Sequence, residues 1–471
     1  MKLAHMDAVV LHMNLIAFSM KTKGLRNFAR RLWTVFTRFG FTEARTRTAL
    51  YALIDLLHDH HAAPTFFIPA VVLQRHPALL AAIVGAGAEI GIHGYVHNDY
   101  RTLSTIEQYK QTRQAIEVFQ ANKIPYQGFR NPYLGWTEQS LNVFSSLGMG
   151  YESNEAVIHN VIDRAQLSPL QQGGFEKSLQ LFQAIDPCEY TLRPHFEGSL
   201  LRLPTSIPDD EMLFDRLRIT DPVEIGRIWS QVMQRVYDYG GVYILNLHPE
   251  RGVLCRQALA TLLGYARSRP HPVWIARLDE IANWWRERSR FKLRITPIAP
   301  QRWRVEADCT SRSRLLARHL IIEDTAIVEA PMSCPTTCIV QAEQYPGIGL
   351  SPRTLPQVAT LLTEQGYAHM TASPEQADQF GLYLDLPEGL GETRAEQQSR
   401  CGTLIRQIEL LDAPLLSFHC WPDDYQAALA ISGDIDSVTI QDFFLRILEV
   451  SSAKVPYVKT SHAINNQKNL A

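Results

Sequence analysis

The chain of 471 residues lacks any hydrophobic run long enough to cross a membrane, and it carries little excess of charge. Its most apolar stretch, residues 78–92, is interrupted by Glu89, whereas a membrane-spanning helix needs about 20 consecutive apolar residues. The formal net charge of −2 provides no basic surface of the kind that binds nucleic acid or anionic lipid. These absences predict a protein without a transmembrane segment and without a nucleic-acid partner.

Cysteine is also scarce, with seven residues spread over the whole chain. An odd number at irregular spacing does not indicate a disulfide framework. Cys334 and Cys338 are four positions apart, but no second pair and no neighbouring histidine completes a zinc-binding motif. We therefore expect reduced thiols rather than structural disulfides or a zinc knot.

The N-terminal residues do not favour a signal peptide. Residues 8–20 are mostly apolar, but His12 and Asn14 break the stretch and no clear small-residue cleavage site follows. We expect a cytoplasmic protein, and an extracytoplasmic location stays open.

The pattern of apolar residues divides the chain into segments of different character. Strand-like and helix-like stretches alternate over residues 46–290, which predicts an α/β fold, either a barrel or a doubly wound sheet. The other expected segments are an N-terminal strand and helix (1–45), a β-rich module (291–350), an α/β segment (351–450) and a flexible tail (451–471). The α/β segment closes with one more strand and helix at residues 425–450.

Polar side chains stand where several of the predicted strands end. In chain order they are His93 and His97 after "EIGI", Arg130 after "IPYQGF", His248 after "VYILNL", and Asp434 and Asp436 after "AALAIS". In parallel α/β folds, chemistry collects just beyond the carboxyl ends of the strands. Together these residues supply the ligands, the acid or base and the orienting cation that metal-assisted hydrolysis needs.

Three of these stretches resemble, in the same order, the motifs of the polysaccharide deacetylase family, also called the NodB-homology domain or carbohydrate esterase family four. "PTFFIPA" followed by "GAEIGIHGYVHND" is similar to the strand and His-x-x-x-His motif of that family. "FRNPYLG" resembles its Arg-x-Pro-Tyr motif, and "LNLHP" resembles its Leu-x-x-His-Pro motif. The resemblance covers residues 46–290 and implies a distorted (β/α) barrel, with a smaller β-rich and α/β region on its C-terminal side.

The resemblance also implies an activity and a set of roles. The expected protein is a metal-dependent hydrolase that removes N-acetyl groups from amino-sugar polymers or oligomers, with a divalent ion, zinc in the first place. The implied roles are metal ligation for His93 and His97, orientation of the catalytic carboxylate for Arg130, an oxyanion contact from the backbone N–H of Tyr133, and general acid for His248. The expected partner is an N-acetylated carbohydrate, and the sequence does not predict an oligomeric state.

Two alternatives stay open. The chain could be a catalytically inactive carbohydrate-binding or scaffold protein on the same fold. It could also be a hydrolase of a non-peptide C–N bond in an amide that is not a carbohydrate.

One expected element is missing from its usual place. The family has two aspartates on its first strand, as base and as third metal ligand, whereas the N-terminal stretch "AFSMKTKG" has Ser19 and Met20 there. The C-terminal stretch resembles the missing strand, with Asp434 and Asp436 at its end. Because a lone parallel strand cannot bury both of its faces, we hypothesise a circular permutation in which residues 425–450 complete the barrel. Asp434 would be the base and Asp436 the third ligand.

The alternative to the permutation is that residues 8–18 form the first strand, with Asp434 and Asp436 on a solvated turn of a relic second domain. The permutation requires the Asp436 carboxylate to lie within about 5 Å of His93 and His97, since metal–ligand bonds are close to 2 Å. Asp99, which follows His97 by two residues, is a substitute ligand, a residue that hydrogen-bonds to a metal ligand, or a turn residue. "PTSIPDDEM" is expected to be a polar loop.

Overall fold

The computed structural model describes residues 38–188, 190–323, 327–328 and 331–452. The expected N-terminal strand, the "AFSMKTKG" stretch and residues 453–471 of the expected tail lie outside these ranges. Within the described ranges, none of the helices combines the length and the apolar character needed to cross a bilayer.

The secondary structure alternates between strands and helices in the first half of the chain and becomes rich in strands after residue 290. The strands are β1 (Thr65–Ile68), β2 (Glu89–Ile92), β3 (Gly128–Phe129), β4 (Tyr151–Glu152), β5 (Ala156–Ile158), β6 (His195–Glu197), β7 (Leu200–Arg202), β8 (Thr205–Ile207), β9 (Val242–Leu247), β10 (Val273–Ile275), β11 (Lys292–Ala299), β12 (Arg302–Asp308), β13 (Leu315–Arg318), β14 (Leu320–Ile322), β15 (Ile327–Val328), β16 (Met332–Cys334), β17 (Thr337–Gln341), β18 (Tyr345–Leu350), β19 (His369–Thr371), β20 (Phe380–Leu384), β21 (Leu415–Phe418) and β22 (Ala427–Asp434). The α-helices are α1 (Ala44–His58), α2 (Ala70–Arg75), α3 (Pro77–Gly85), α4 (Thr105–Ala121), α5 (Glu138–Ser146), α6 (Pro169–Phe182), α7 (Pro222–Tyr239), α8 (Gly252–Arg267), α9 (Leu278–Arg288), α10 (Pro356–Glu364), α11 (Arg394–Glu409) and α12 (Ile440–Ser452).

A curled sheet of eleven strands forms the main unit, and its order is β5-β8-β9-β22-β1-β2-β3-β4-β7-β6, with β10 paired to β22. All of its pairings are parallel except that of β6 with β7. Strands such as β1 and β9 are mostly apolar and buried at every residue, as strands of a parallel sheet covered on both faces are. The predicted α/β class and distorted (β/α) barrel are confirmed.

Strand β22, the last strand among the described residues, lies in the middle of this sheet. Strand β22 pairs with β9 from Ala428 to Gly433 and with β1 from Ser432 to Asp434. All eight of its residues are buried. Strand β22 therefore fills the position next to β1, and the carboxyl ends of β9, β22, β1 and β2 lie side by side.

Charged side chains hold helix α12, which follows β22, against the barrel. The Asp442 carboxylate accepts hydrogen bonds from the backbone N–H and the hydroxyl of Thr439 at the start of the helix, at 3.0 and 2.9 Å. The same carboxylate also accepts a hydrogen bond from Arg75 Nη1 at 3.0 Å, and its Oδ2 lies 2.8 Å from His76 Nε2. Arg75 also pairs with Glu449, about two turns further along α12. The terminal strand and helix are thus held as parts of the barrel.

The second unit runs from β11 to β21 and contains three small sheets. They are an antiparallel sheet of order β11-β12-β17-β14-β15, a sheet β16-β13-β21, and a parallel sheet β19-β18-β20. Because β13 pairs with β21 and β18 pairs with β19 and β20, the strands of residues 291–350 are joined to those of the following segment. Buried Trp284 and Trp285 of α9 pack in a hydrophobic cluster shared by the barrel and this second unit.

Candidate active site

Three side chains with metal-ligating atoms meet beyond the carboxyl ends of β2 and β22. Asp436 Oδ1 lies 3.5 Å from His93 Nε2 and 3.2 Å from His97 Nε2. One ligand atom from each residue lies within 4.8 Å of the other two. These separations are inside the limit that the permutation hypothesis sets. The structure therefore brings together the three residues expected to hold a metal, although they come from opposite ends of the chain.

The strand pairings explain why these residues meet. The backbone N–H of His93 bonds to the carbonyl of Ile68, which continues the pairing of β2 with β1. On the other side of β1, the N–H of Ile435 bonds to the carbonyl of Phe67 and continues the pairing with β22. Asp434 and Asp436 stand two residues apart along the strand direction and so point to the same side. Both carboxylates therefore face the region beyond the sheet where His93 begins its loop.

The donor atoms of this group fit a divalent ion with nitrogen and oxygen ligands. His93 Nδ1 lies 2.8 Å from the carbonyl oxygen of Arg130, so Nδ1 carries the hydrogen and Nε2 presents its lone pair. Asp436 Oδ1 is buried and has no hydrogen-bond donor among the described residues. A carboxylate oxygen without a donor, set between two imidazole nitrogens, matches the ligand types that zinc and related ions take.

The protonation states also suit metal binding. Burial opposes the charged form of Asp436, but the adjacent His97 and Arg446 outweigh it and hold the pKa of this carboxyl well below its usual value. Burial lowers the pKa of His97. An ionised carboxylate and a neutral imidazole are the forms that bind metal ions.

Asp434 is held by two buried donors. Its Oδ1 accepts from Arg130 Nη1 at 3.2 Å, and its Oδ2 accepts from Asn246 Nδ2 at 2.9 Å. Arg130 is fully buried, donates to the carbonyl and hydroxyl of Ser153, and lies 4.3 Å above the ring of Phe67. Because arginine keeps its charge, it fixes the carboxylate without competing for a proton. These two donors hold the Asp434 carboxylate in place, and Asp434 is not part of the ligand group of His93, His97 and Asp436.

His248, at the end of β9, is paired with a buried aspartate. Its Nδ1 lies 2.8 Å from Asp210 Oδ1, and its backbone N–H donates to Asp210 Oδ2 at 2.9 Å. Burial lowers the pKa of His248, but the Asp210 carboxylate more than offsets this and raises the pKa well above its usual value. Burial likewise opposes ionisation of Asp210, yet His248 and Arg251 lower the pKa of Asp210 to about 2. The pair therefore favours the charged imidazole. Because Asp210 contacts Nδ1, the hydrogen on Nε2 is not bonded to Asp210.

The comparisons with known proteins agree with the family expected from the motifs. The model of the polysaccharide deacetylase family matches residues 43–151. Residues 43–151 are therefore similar to a polysaccharide deacetylase domain. Over 211 residues it is 23% identical to a peptidoglycan deacetylase of Helicobacter pylori, a match that covers 42% of this chain and 70% of that protein.

Solved structures similar to about half of this chain include proteins with different names. One is an allantoinase, at 18% identity and a TM-score of 0.38, covering 50% of this chain and 72% of the other. Another is a pseudoenzyme of carbohydrate esterase family four from Bacillus anthracis, at 16% identity and a TM-score of 0.31, covering 50% of this chain and 61% of the other. At these scores the likeness decides nothing about activity.

Tyr133 lies at the edge of the candidate metal site. Its ring packs edge-on against the His97 ring, with centroids 4.7 Å apart. Its backbone has φ of 60° and ψ of 15°, a left-handed conformation that residues other than glycine rarely adopt. The turn is braced by Asn131, which donates to the Gly135 carbonyl and to Asn154 Oδ1, both at 2.6 Å. A braced backbone beside His97 suits the oxyanion contact expected of Tyr133, and that role stays a prediction.

Several residues of the site were not found by sequence reasoning. The expectation of a polar loop at "PTSIPDDEM" is wrong, because "TSI" forms β8 and both Asp209 and Asp210 are buried. Two acids directly after a strand were the available signal. Asn246 and Ser432 are polar residues inside mostly apolar strands, which was a similar signal in the sequence. Both accept a hydrogen bond from Arg130 Nη1.

Asp99 does not join the ligand group. Arg101 binds its carboxylate: Nη2 donates to Oδ2 at 2.8 Å, and Nε donates to Oδ1 at 2.9 Å. The turn interpretation of Asp99 therefore describes its contacts better than a role as substitute ligand.

Proposed function

We propose that this protein is a metal-dependent deacetylase that removes N-acetyl groups from amino-sugar polymers or oligomers. The observation that carries the proposal is the meeting of Asp436 with His93 and His97, two residues beyond Asp434 at the end of β22. Without those two carboxylates the barrel would lack a base and a third ligand, as the N-terminal stretch suggested. The similarity to a peptidoglycan deacetylase supports an N-acetylated glycan as the class of substrate.

Three residues would hold the metal ion: His93 and His97 through Nε2, and Asp436 through Oδ1. A divalent ion in this place would lower the pKa of a water molecule toward neutrality and polarise the acetyl carbonyl of the substrate. Two features of the chain fit such an ion. The Arg130 carbonyl fixes the tautomer of His93, and Asp436 Oδ1 has no hydrogen-bond donor among the described residues.

Asp434 would act as the base that takes a proton from the attacking water. Its carboxylate is held from two sides by Arg130 and Asn246, so it does not need to reorient during the reaction. The backbone N–H of Tyr133 would donate a hydrogen bond to the developing oxyanion. A fixed donor in a site shielded from water contributes to rate because it needs no reorganisation at the moment of reaction.

His248 would protonate the leaving amine. An amine leaves only after it gains a proton, and the charged imidazole that Asp210 favours has one available on Nε2. Asp210 would act as a positioning residue: it fixes the ring through Nδ1 and the backbone through the His248 N–H.

Acetate release from N-acetylated chito-oligomers and from peptidoglycan, in the presence of added zinc, tests the proposal. The wild-type protein should release acetate, and His248→Asn should release it about 10²- to 10⁴-fold more slowly, the usual contribution of a general acid. Equal rates for the two proteins would contradict the role of His248. Hydrolysis of small linear or cyclic amides without release of acetate from glycans would contradict the substrate class.

A further inference from the structure

Arg446 lies close to the candidate metal site but does not belong to any of the motifs that predict it. Its Nη1 donates to Asp436 Oδ2 at 2.6 Å, and its guanidinium lies 5.2 Å from the centre of the Phe443 ring. The side chain is 23% exposed and that of Asp436 is 17% exposed. The contact is therefore a partly shielded, charge-assisted hydrogen bond rather than a pair of surface charges.

The helix that carries Arg446 is anchored on the same side. Asp442, Arg446 and Glu449 follow at spacings of four and three residues, which places them on one face of α12. Asp442 and Glu449 both pair with Arg75 of α2. The helix face is thus fixed at one point before Arg446 and one point after it, so the direction of the Arg446 side chain is set by the barrel.

The two oxygens of Asp436 are used differently. Oδ2 is occupied by Arg446, whereas Oδ1 lies near the two imidazole nitrogens and has no hydrogen-bond donor within the part of the chain that the structure describes. A carboxylate can bind an ion through one oxygen or through both. With Oδ2 held by a guanidinium, one oxygen is left for the ion.

We propose that Arg446 is a positioning residue that fixes Asp436 as a ligand through Oδ1 alone. The inference rests on the proposed function, since it assumes that His93, His97 and Asp436 bind a divalent ion. Groups that hydrogen-bond to metal ligands usually change metal affinity or activity by about 10- to 100-fold when they are removed. A positive charge near the site also repels a cation, so the two effects have opposite signs and an experiment can separate them.

Calorimetric titration with zinc of the metal-free protein tests this inference. We expect Arg446→Met, which removes donors and charge but keeps much of the side-chain length, to bind zinc about 10- to 100-fold more weakly than wild type. Arg446→Gln, which keeps a donor without the charge, should retain more affinity than Arg446→Met. Tighter zinc binding by Arg446→Met would overturn the inference, because it would show that Arg446 acts only as a charge that repels the ion. Unchanged binding would overturn it as well, because it would show that Arg446 has no effect on the site.

A second measurement separates a change in ligation from a general loosening of the helix. With cobalt(II) in place of zinc, the visible absorption reports coordination geometry, and we expect Arg446→Met to change it as Oδ2 becomes free to bind. Arg75→Met shows what loosening α12 alone does, since it removes two anchors of the helix but keeps the Arg446 guanidinium. We expect Arg75→Met to change the spectrum less than Arg446→Met does, and a wild-type spectrum in Arg446→Met would overturn the inference.

The outcomes for the two proposals are distinguishable. If the wild-type protein binds neither zinc nor cobalt, the proposed function fails together with its dependent inference. If the wild-type protein binds both and Arg446→Met behaves identically, only the inference fails. Thermal unfolding of each metal-free variant checks that its fold is intact, and Arg446→Lys, which keeps the charge and one donor, serves if Arg446→Met does not fold.

Discussion

The substitution Asp210→Asn tests how the structure prepares His248 to donate a proton. Opposite unit charges 2.8 Å apart, the separation of Asp210 Oδ1 and His248 Nδ1, attract each other by about 6 kcal/mol at an effective dielectric constant of about 20. Burial of the ring and the nearby Arg251 both oppose the charged imidazole, and both remain in the variant. Asparagine keeps the shape and the acceptor but removes the charge.

The assay is the pH dependence of kcat/KM for acetate release. A general acid works in its protonated form, so activity is present below the pKa of His248 and is lost as pH rises through it. Removing the carboxylate lowers this pKa, and since one pKa unit corresponds to about 1.4 kcal/mol, we expect the alkaline limb to move to lower pH by more than about one unit. Asp215→Asn is the control, because Asp215 bonds to Arg251 and Arg38 rather than to His248. An Asp210→Asn profile that superimposes on that of the wild type would refute the reasoning.

Two further substitutions test the roles of the terminal strand and helix. Asp434→Asn should lower kcat by about 10²- to 10⁴-fold, as loss of a general base does, while zinc affinity stays unchanged because Asp434 lies outside the ligand group; a parallel loss of zinc would contradict the separation of roles. Asp442→Asn should lower the free energy of unfolding by about 1–3 kcal/mol in chemical denaturation, since it removes the charge that Arg75 and His76 contact while Arg75 keeps its pair with Glu449. Because these partners lower the pKa of Asp442, its contribution is present above the unfolded-state pKa and should vanish as pH falls through the folded-state pKa. A difference in stability that does not change with pH would argue against the charge cluster as the anchor.

Much of the barrel could be predicted because its signals are local. Apolar runs such as "TFFI" and "VYILNL" indicate buried parallel strands, and the capping box of Ser104 and Glu107 marks the start of α4. Residues directly after such strands fall at one edge of the sheet whatever the strand order is. His93, His97, Arg130 and His248 were therefore found from the sequence.

The remaining parts of the site depend on which strands become neighbours. A lone strand at the end of the chain requires a partner, but its place between β9 and β1 is set by pairings with residues far away in the sequence. Asp210 follows a proline and another acid, a pattern typical of a solvated turn, and it is buried only because β8 packs beside β9. Arg446 belongs to an amphipathic helix whose orientation is fixed by α2. No local pattern carries this information.

In the proposed metal site, Asp436 beyond the end of β22 completes a ligand group whose other members come from the loop after β2. The decisive measurement is zinc titration of wild type, Asp436→Ala and Asp424→Ala, since Asp424 is an exposed acid of the same C-terminal segment that pairs with Arg314 on the surface. We expect one tightly bound zinc ion per chain for the wild type and for Asp424→Ala, and loss of that ion in Asp436→Ala. Stoichiometric zinc binding by Asp436→Ala with wild-type affinity would contradict it.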